Sequence, residues 1–166
     1  MKKGVEIFYE TRAVSLIYDG LRVTGVRAQH KGQLVEFKAK SVVLACGGFE
    51  ANPEWRTRYL GPGWELAKVR GSRFNMGDGL KMALDIGAHP YGNWSGRHAV
   101  SWERHAPDVG NLNLPHSSYR HSYPLSIMIN ADGKRFVDEG IEFYNYTYAK
   151  YGAEVLRQPQ QFAYQV

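Results

Sequence analysis

Apolar and polar residues alternate at period two over Val5–Tyr9, and again over Val14–Tyr18, where Val14, Leu16 and Tyr18 share a face. That alternation predicts strands with one covered side. Asp19-Gly20 is a two-residue hairpin signal, because an Asp-Gly pair accepts the positive φ angles of a tight turn. Val23–Ala28, the turn His30-Lys31-Gly32-Gln33 and Leu34–Phe37 follow, which predicts an antiparallel meander of three or four strands. The pattern then changes. Val42, Val43, Leu44, Ala45 and Cys46 are continuously apolar, which predicts a strand covered on both faces, as in a central parallel sheet. Gly47-Gly48 ends it, and paired glycines permit positive φ or the close approach of another group to the main chain.

Beyond Asn52-Pro53 the text is less regular. Glu54–Leu60 predicts a short helix stopped by Gly61-Pro62-Gly63, and Trp64–Phe74 a loop. Leu80–Ile86 gives the clearest helix, with Leu80, Ala83 and Leu84 on one face, Asp78 as N-cap and Gly87 just past the end. The N–H groups at such a start can meet an anion or a polar ligand edge. His89–Ser122 has no period and carries five of the six histidines; so long an irregular stretch is expected where it serves a function. Leu125, Ile127 and Ile129 alternate as a strand, and Asn130-Ala131-Asp132-Gly133 turns the chain into Arg135–Val137. Glu142–Leu156 predicts a helix with an aromatic stripe, broken near Gly152, and Phe162–Val166 is strand-like. The class is α+β. No βαβ unit and no G-x-G-x-x-G precedes the apolar strand, so its sheet partners are expected upstream, with Met1 a truncation point and the C-terminal end cut as well.

With 166 residues and 43% hydrophobic content, the chain can bury one core and part of another. The formal charge is +5, yet Lys and Arg are spread from Lys2 to Arg157 without a block. That speaks against a nucleic-acid partner and fits a surface near an anionic cofactor or substrate. The single cysteine, Cys46, excludes an intrachain disulfide and fits a reducing, cytoplasmic setting. No apolar run reaches the roughly 18 residues of a membrane span, and the N-terminal lysines are not followed by a signal-peptide core.

The residues offer few chemical constellations. The histidines lack metal-ligand spacing, with no His-Glu-x-x-His and with His116 and His121 too widely set, so loop hydrogen bonding is expected of them. Ser117 and Ser118 lack a nucleophile elbow, and Cys46 is expected to be a small buried apolar residue. Asp78 is a helix cap or a ligand contact. Arg120, between Tyr119 and His121, clamps a carboxylate or pairs with a nearby acid. Phe143, Tyr144, Tyr146, Tyr148 and Tyr151 are expected to pack in a core or an interface rather than to form a stacking platform.

Three stretches, in order, resemble one family. SVVLACGGFEANPEW resembles the Ala-Thr-Gly-Gly-aromatic segment of flavoproteins of the fumarate reductase and succinate dehydrogenase type. NMGDGLKMALDIGA is similar to their Thr-Gly-Asp-Gly helix, and MINADGKRFVDE to their Asn-x-x-Gly-x-Arg-Phe hairpin. Together the matches extend over about two thirds of the chain. Within the family, GNWSGRHAV and YNYTYAKYG are similar to tricarballylate dehydrogenases.

The resemblance implies an internal piece of an FAD enzyme. Residues 1–60 would be an antiparallel insert and return strand of the FAD-binding domain, and residues 61–166 an incomplete α+β capping domain on the substrate side. Ala13, through its backbone, Gly47, Gly48 and Asp78 would contact FAD. His98 and Arg120 would bind substrate, although the Thr-Glu that normally precedes this arginine reads His116-Ser117 here. Relatives place a proton-transferring arginine four or five residues after the hairpin glutamate, Glu139; Phe143 and Tyr144 stand there instead, which leaves Tyr144 as the candidate proton-transfer residue. The implied chemistry is hydride transfer between FAD and a polycarboxylate such as tricarballylate, with an unidentified electron acceptor and a possible homo-oligomer. A fumarate-reductase-like or ketosteroid-dehydrogenase-like enzyme is the alternative, and a non-enzymatic binding or assembly module using the tyrosine-rich helix is a third. These residues alone are expected to be inactive and to bind FAD negligibly.

Overall fold

A computed structural model describes residues 4–111, 113 and 118–166; His116 and Ser117 lie outside them. The elements are β1 (Thr11–Tyr18), β2 (Val23–His30), β3 (Gln33–Lys38), α1 (Pro53–Leu60), α2 (Asp78–Asp85), β4 (Met128–Asn130), α3 (Tyr144–Leu156) and β5 (Ala163–Gln165). Short 3₁₀ turns span Trp64–Leu66, Tyr123–Leu125 and Pro159–Gln161. The expected α+β class is what the chain adopts. Two compact units divide it, Met1–Phe49 with Asn75–Tyr91, and Glu50–Phe74 with Gly92–Val166.

The first unit is the antiparallel sheet β1-β2-β3 with α2 packed on β1. The β2–β3 connection is the two-residue turn read from the sequence, with Lys31 at φ 46° and Gly32 at φ 86°, a pair of positive angles that suits the twist of a hairpin. The β1–β2 loop is longer than Asp19-Gly20 alone: Tyr18 pairs with Val23, and Asp19 Oδ1 accepts the Leu21 and Arg22 N–H groups, each at 2.9 Å. Leu16, Ile17, Ala28 and Met82 are buried. Val14 is the extra residue of a bulge between Ala13 and Ser15, so it leaves the face it was expected to share with Leu16.

Two predicted strands are absent. Val5–Tyr9 is irregular and exposed, although the Phe8 ring reaches Phe37 at a centroid distance of 4.9 Å. Val42–Cys46 is also not a strand; Val43 is 86% exposed. A strand exists through its ladder, and no described strand of this chain pairs with that run. For the same reason Cys46 is exposed, not buried.

Helix α2 ends as predicted. Gly87, at φ 91°, donates to Leu84 O at 2.9 Å and Ala88 donates to Ala83 O at 3.1 Å, the paired bonds of a Schellman cap. Its start differs: Gly77 is the N-cap at φ 85°, and Asp78 is the first helical residue without a capping bond, because its carboxylate is engaged elsewhere.

In the second unit, Asn52 caps α1 by accepting the Trp55 N–H at 3.1 Å. β4 pairs with β5, and Asn130 Oδ1 closes the following turn by accepting the Asp132 and Lys134 N–H groups, each at 3.0 Å. Tyr123, Met128 and Tyr151 form the buried centre, flanked by Phe136, Val137, Tyr144, Tyr148, Val155 and Ala163. Contrary to the expected break, α3 runs through Gly152, whose N–H donates to Ala99 O at 3.0 Å while Ala99 N–H donates to Ala149 O at 2.8 Å. The glycine there admits the backbone of Ala99 and Val100 to the helix. No helix among the described residues is long and apolar enough to cross a membrane.

Candidate functional site

In the first unit, four of the predicted residues gather around one turn and one strand. Gly47 has φ 72°, and a Cβ there would meet the Asn75 side-chain amide at 3.1 Å. The next residue, Gly48, accepts the Gly77 N–H at 3.0 Å, so the glycine pair lies flush against the backbone that opens α2. Gly79 is fitted in the same way, since a Cβ would come within 2.9 Å of Cys46 Cβ. Asp78 holds Arg12 through both oxygens, accepting from Nε at 2.9 Å and Nη2 at 3.0 Å. That hydrogen bond, followed by the carboxylate's charge, raises the Arg12 pKa. Ala13, next to Arg12 on β1, sits at the bulge, where the extra residue Val14 has no partner in the ladder. Bulges recur beside binding sites because they release backbone groups. A glycine turn, a helix start and a bulge thus come together in the first unit.

The second unit carries an open cleft of about 490 Å³ lined by Arg70, Tyr119, His121, Tyr144, Asn145 and Tyr148. Helix α3 supplies Tyr144 and Tyr148, stacked at 5.2 Å and 14°, because residues four apart lie on one helical face. The irregular segment before Tyr123 supplies Tyr119 and His121, with ring centroids 4.5 Å apart. Tyr144 Oη is hydrogen-bonded to His121 Nδ1. Burial first, then the nearby Arg70 and His98, lowers the His121 pKa, which keeps the ring neutral near neutral pH. Burial, followed by the neighbouring Tyr123, Tyr148 and Tyr119, raises that of Tyr144 and keeps the phenol protonated.

The other predicted residues are arranged differently. His98 packs its ring against Tyr148 at 5.0 Å, so it reaches the same aromatic group. Arg120 forms an ion pair with Glu103, the acid partner weighed for it in the sequence, and does not line the cleft. The sequence does not single out His121 or Arg70 as site residues. The signal for His121 was weak: it is one of several loop histidines, and only folding sets it against α3.

The family described as FAD binding domain matches residues 1–161 of the chain. The chain belongs to that family. It is 31% identical over 159 residues to a 3-oxosteroid 1-dehydrogenase of Mycobacterium tuberculosis, an alignment that covers 92% of this chain and 27% of the relative. It is also 31% identical over 166 residues to a probable fumarate reductase, Ifc3, of Shewanella frigidimarina, covering 98% of this chain and 26% of the relative. Among solved structures, the open conformation of a flavocytochrome c3 fumarate reductase superposes with a TM-score of 0.68 at 29% identity, covering 93% of this chain and 26% of that one. The chain thus spans about a quarter of the length of the relatives it matches. FAD is the cofactor of the family.

Proposed function

We propose that this chain is part of an FAD-dependent oxidoreductase that transfers hydride between the flavin and a carbon next to a carboxylate or carbonyl group. FAD, when bound, takes or gives the hydride. The chain's own residues would do the rest. Ala13, Gly47, Gly48 and Asp78 would hold the cofactor, with residues 1–60 serving the FAD-binding side and residues 61–166 the substrate side. Tyr144 would exchange the proton that accompanies the hydride, in the position where similar enzymes carry an arginine.

The observation that carries this reading is the second-unit cleft, which places a guanidinium, Arg70, beside a hydrogen-bonded phenol–imidazole pair. Arg70 would polarise and orient an anion while Tyr144 exchanges the proton. His98 and Arg120 would add substrate contacts, Arg120 after release from Glu103. A polycarboxylate such as tricarballylate suits the basic balance of +5. The tyrosine lining favours a second reading, a cyclic ketone such as the 3-oxosteroid in the relative's name. Anaerobic bleaching of the flavin by tricarballylate, but not by a 3-oxosteroid, is the expected result with the FAD-loaded full-length protein that contains this chain. The reverse selects the second reading, and bleaching by neither removes both.

Asp78 gives a test of the cofactor side. Asp78→Ala is expected to weaken FAD binding about tenfold, the loss of roughly one charge-assisted contact. Titration of the full-length apoprotein that contains this chain with FAD, followed by flavin fluorescence, measures it; unchanged affinity removes Asp78 from the cofactor site.

A further inference from the structure

Tyr144 by itself is a poor proton-transfer group. An unperturbed phenol titrates near pH 10 (about 10), and a protonated phenol can remove a proton from carbon only if its own proton has somewhere to go. The cleft supplies one acceptor. Tyr144 Oη meets His121 Nδ1, and the two rings lie at 5.6 Å and 60°. The other ring nitrogen of His121, Nε2, is buried and has no hydrogen-bond partner among the described residues, where the polar connection of this imidazole runs through Nδ1 to Tyr144. The groups that face it are Arg70, His98, Tyr119, Tyr144 and Tyr148. No carboxylate lines the cleft among the described residues, which leaves no acid there to compete for the proton.

We propose that His121 is a positioning residue that receives the Tyr144 phenolic proton at Nδ1 while the Tyr144 oxygen removes a proton from a substrate carbon. This rests on the assignment of proton transfer to Tyr144. The step balances. The substrate C–H bond breaks as a new Oη–H bond forms, and the original Oη–H bond breaks as Nδ1–H forms. The electron pair stays on carbon, and the imidazolium carries the compensating positive charge. Reversal returns both protons. In the resting site the ring is neutral and the phenol protonated, the state from which this relay starts, and Tyr119 and Tyr148 pack against the imidazole at ring-centroid distances of 4.5 and 5.5 Å.

The FAD-loaded full-length protein that contains this chain, with 15N-labelled histidine, tests the pair without turnover. His121 is expected as the Nε2–H tautomer with Nδ1 accepting. Tyr144→Phe should raise its titration midpoint, because removing a donor to the neutral ring favours the charged one. A protonated Nδ1 in the parent protein, or a midpoint unmoved by Tyr144→Phe, overturns the proposal. The rate test uses the same two probes, tricarballylate and a 3-oxosteroid. His121→Asn keeps an oxygen near the Nδ1 position to accept the phenol but cannot take its proton. It is expected to lower kcat by about 10- to 100-fold, leave KM nearly unchanged, and abolish the acid limb of the pH–rate profile. A retained acid limb with unchanged kcat overturns the role of His121. A fully active Tyr144→Phe overturns instead the assignment of Tyr144, so the two failures are distinguishable.

Discussion

Glu139→Ala is expected to cost the protein about 3 kcal/mol of stability. Glu139 is 4% exposed, accepts the Met128 N–H at 2.6 Å, and accepts Arg135 Nε at 2.8 Å. Removing it orphans a buried backbone donor at the start of β4 and leaves a void beside the Tyr123–Met128–Tyr151 centre. The ion pair contributes less than its geometry suggests, because Arg135 is 55% exposed and screened by water. Chemical denaturation at neutral pH should show the full loss, and an unchanged midpoint would refute the role given to the Met128 contact.

The same carboxylate predicts a pH effect. Burial alone would raise the Glu139 pKa, but the Met128 N–H and then Arg135 outweigh it and the net direction is down. A folded-state pKa below the unfolded one stabilises the protein above the unfolded value, about 4.3 for glutamate. That contribution is lost as pH falls through the lower folded value. Glu139→Gln keeps an oxygen for Met128 and removes the titration. Its denaturation midpoint should therefore fall less steeply than that of the parent between about pH 5 and pH 3.

Gly152→Ala should lower Tm by about 4–8 °C, although alanine favours a helix over glycine by about 1 kcal/mol. The Cβ would fall within 2.6 Å of Ala99 C and 2.7 Å of Ala99 O, and against Val100 O. These are backbone atoms tied to α3 by two hydrogen bonds, so they cannot swing aside as a flexible side chain would. Overpacking of this kind costs about 1–3 kcal/mol, occasionally more, and we expect a net loss of about 2 kcal/mol after the helix gain. A melt of Gly152→Ala at or above the parent Tm would show that the segment at Ala99 moves freely.

Local chemistry explains which parts of the fold were legible. The Lys31-Gly32 turn and the Gly87 cap are each specified within a few residues, and each forms where the sequence placed it. Val42–Cys46 carries the pattern of a covered strand, but pattern describes what a segment can bury, not whether a partner is present. Asp78 is a strong capping residue by type, yet Arg12, 66 residues away, takes both of its oxygens. The glycine turn was visible because glycines have few other uses in pairs. The cleft was not, because His121 joins Tyr144 across 23 residues, a pairing that no local pattern specifies. Gly152 was read as a helix break, when its missing side chain instead makes room for Ala99.

The division of the chain into units also bears on synthesis. The meander is complete at Lys38, but Met82 and the helix that covers β1 belong to a later segment of the same unit. At about 5–20 residues per second, the ribosome delivers that helix roughly two to nine seconds after the last strand. Through that interval β1, with Leu16 and Ile17, lacks the helix that packs on it in the folded unit.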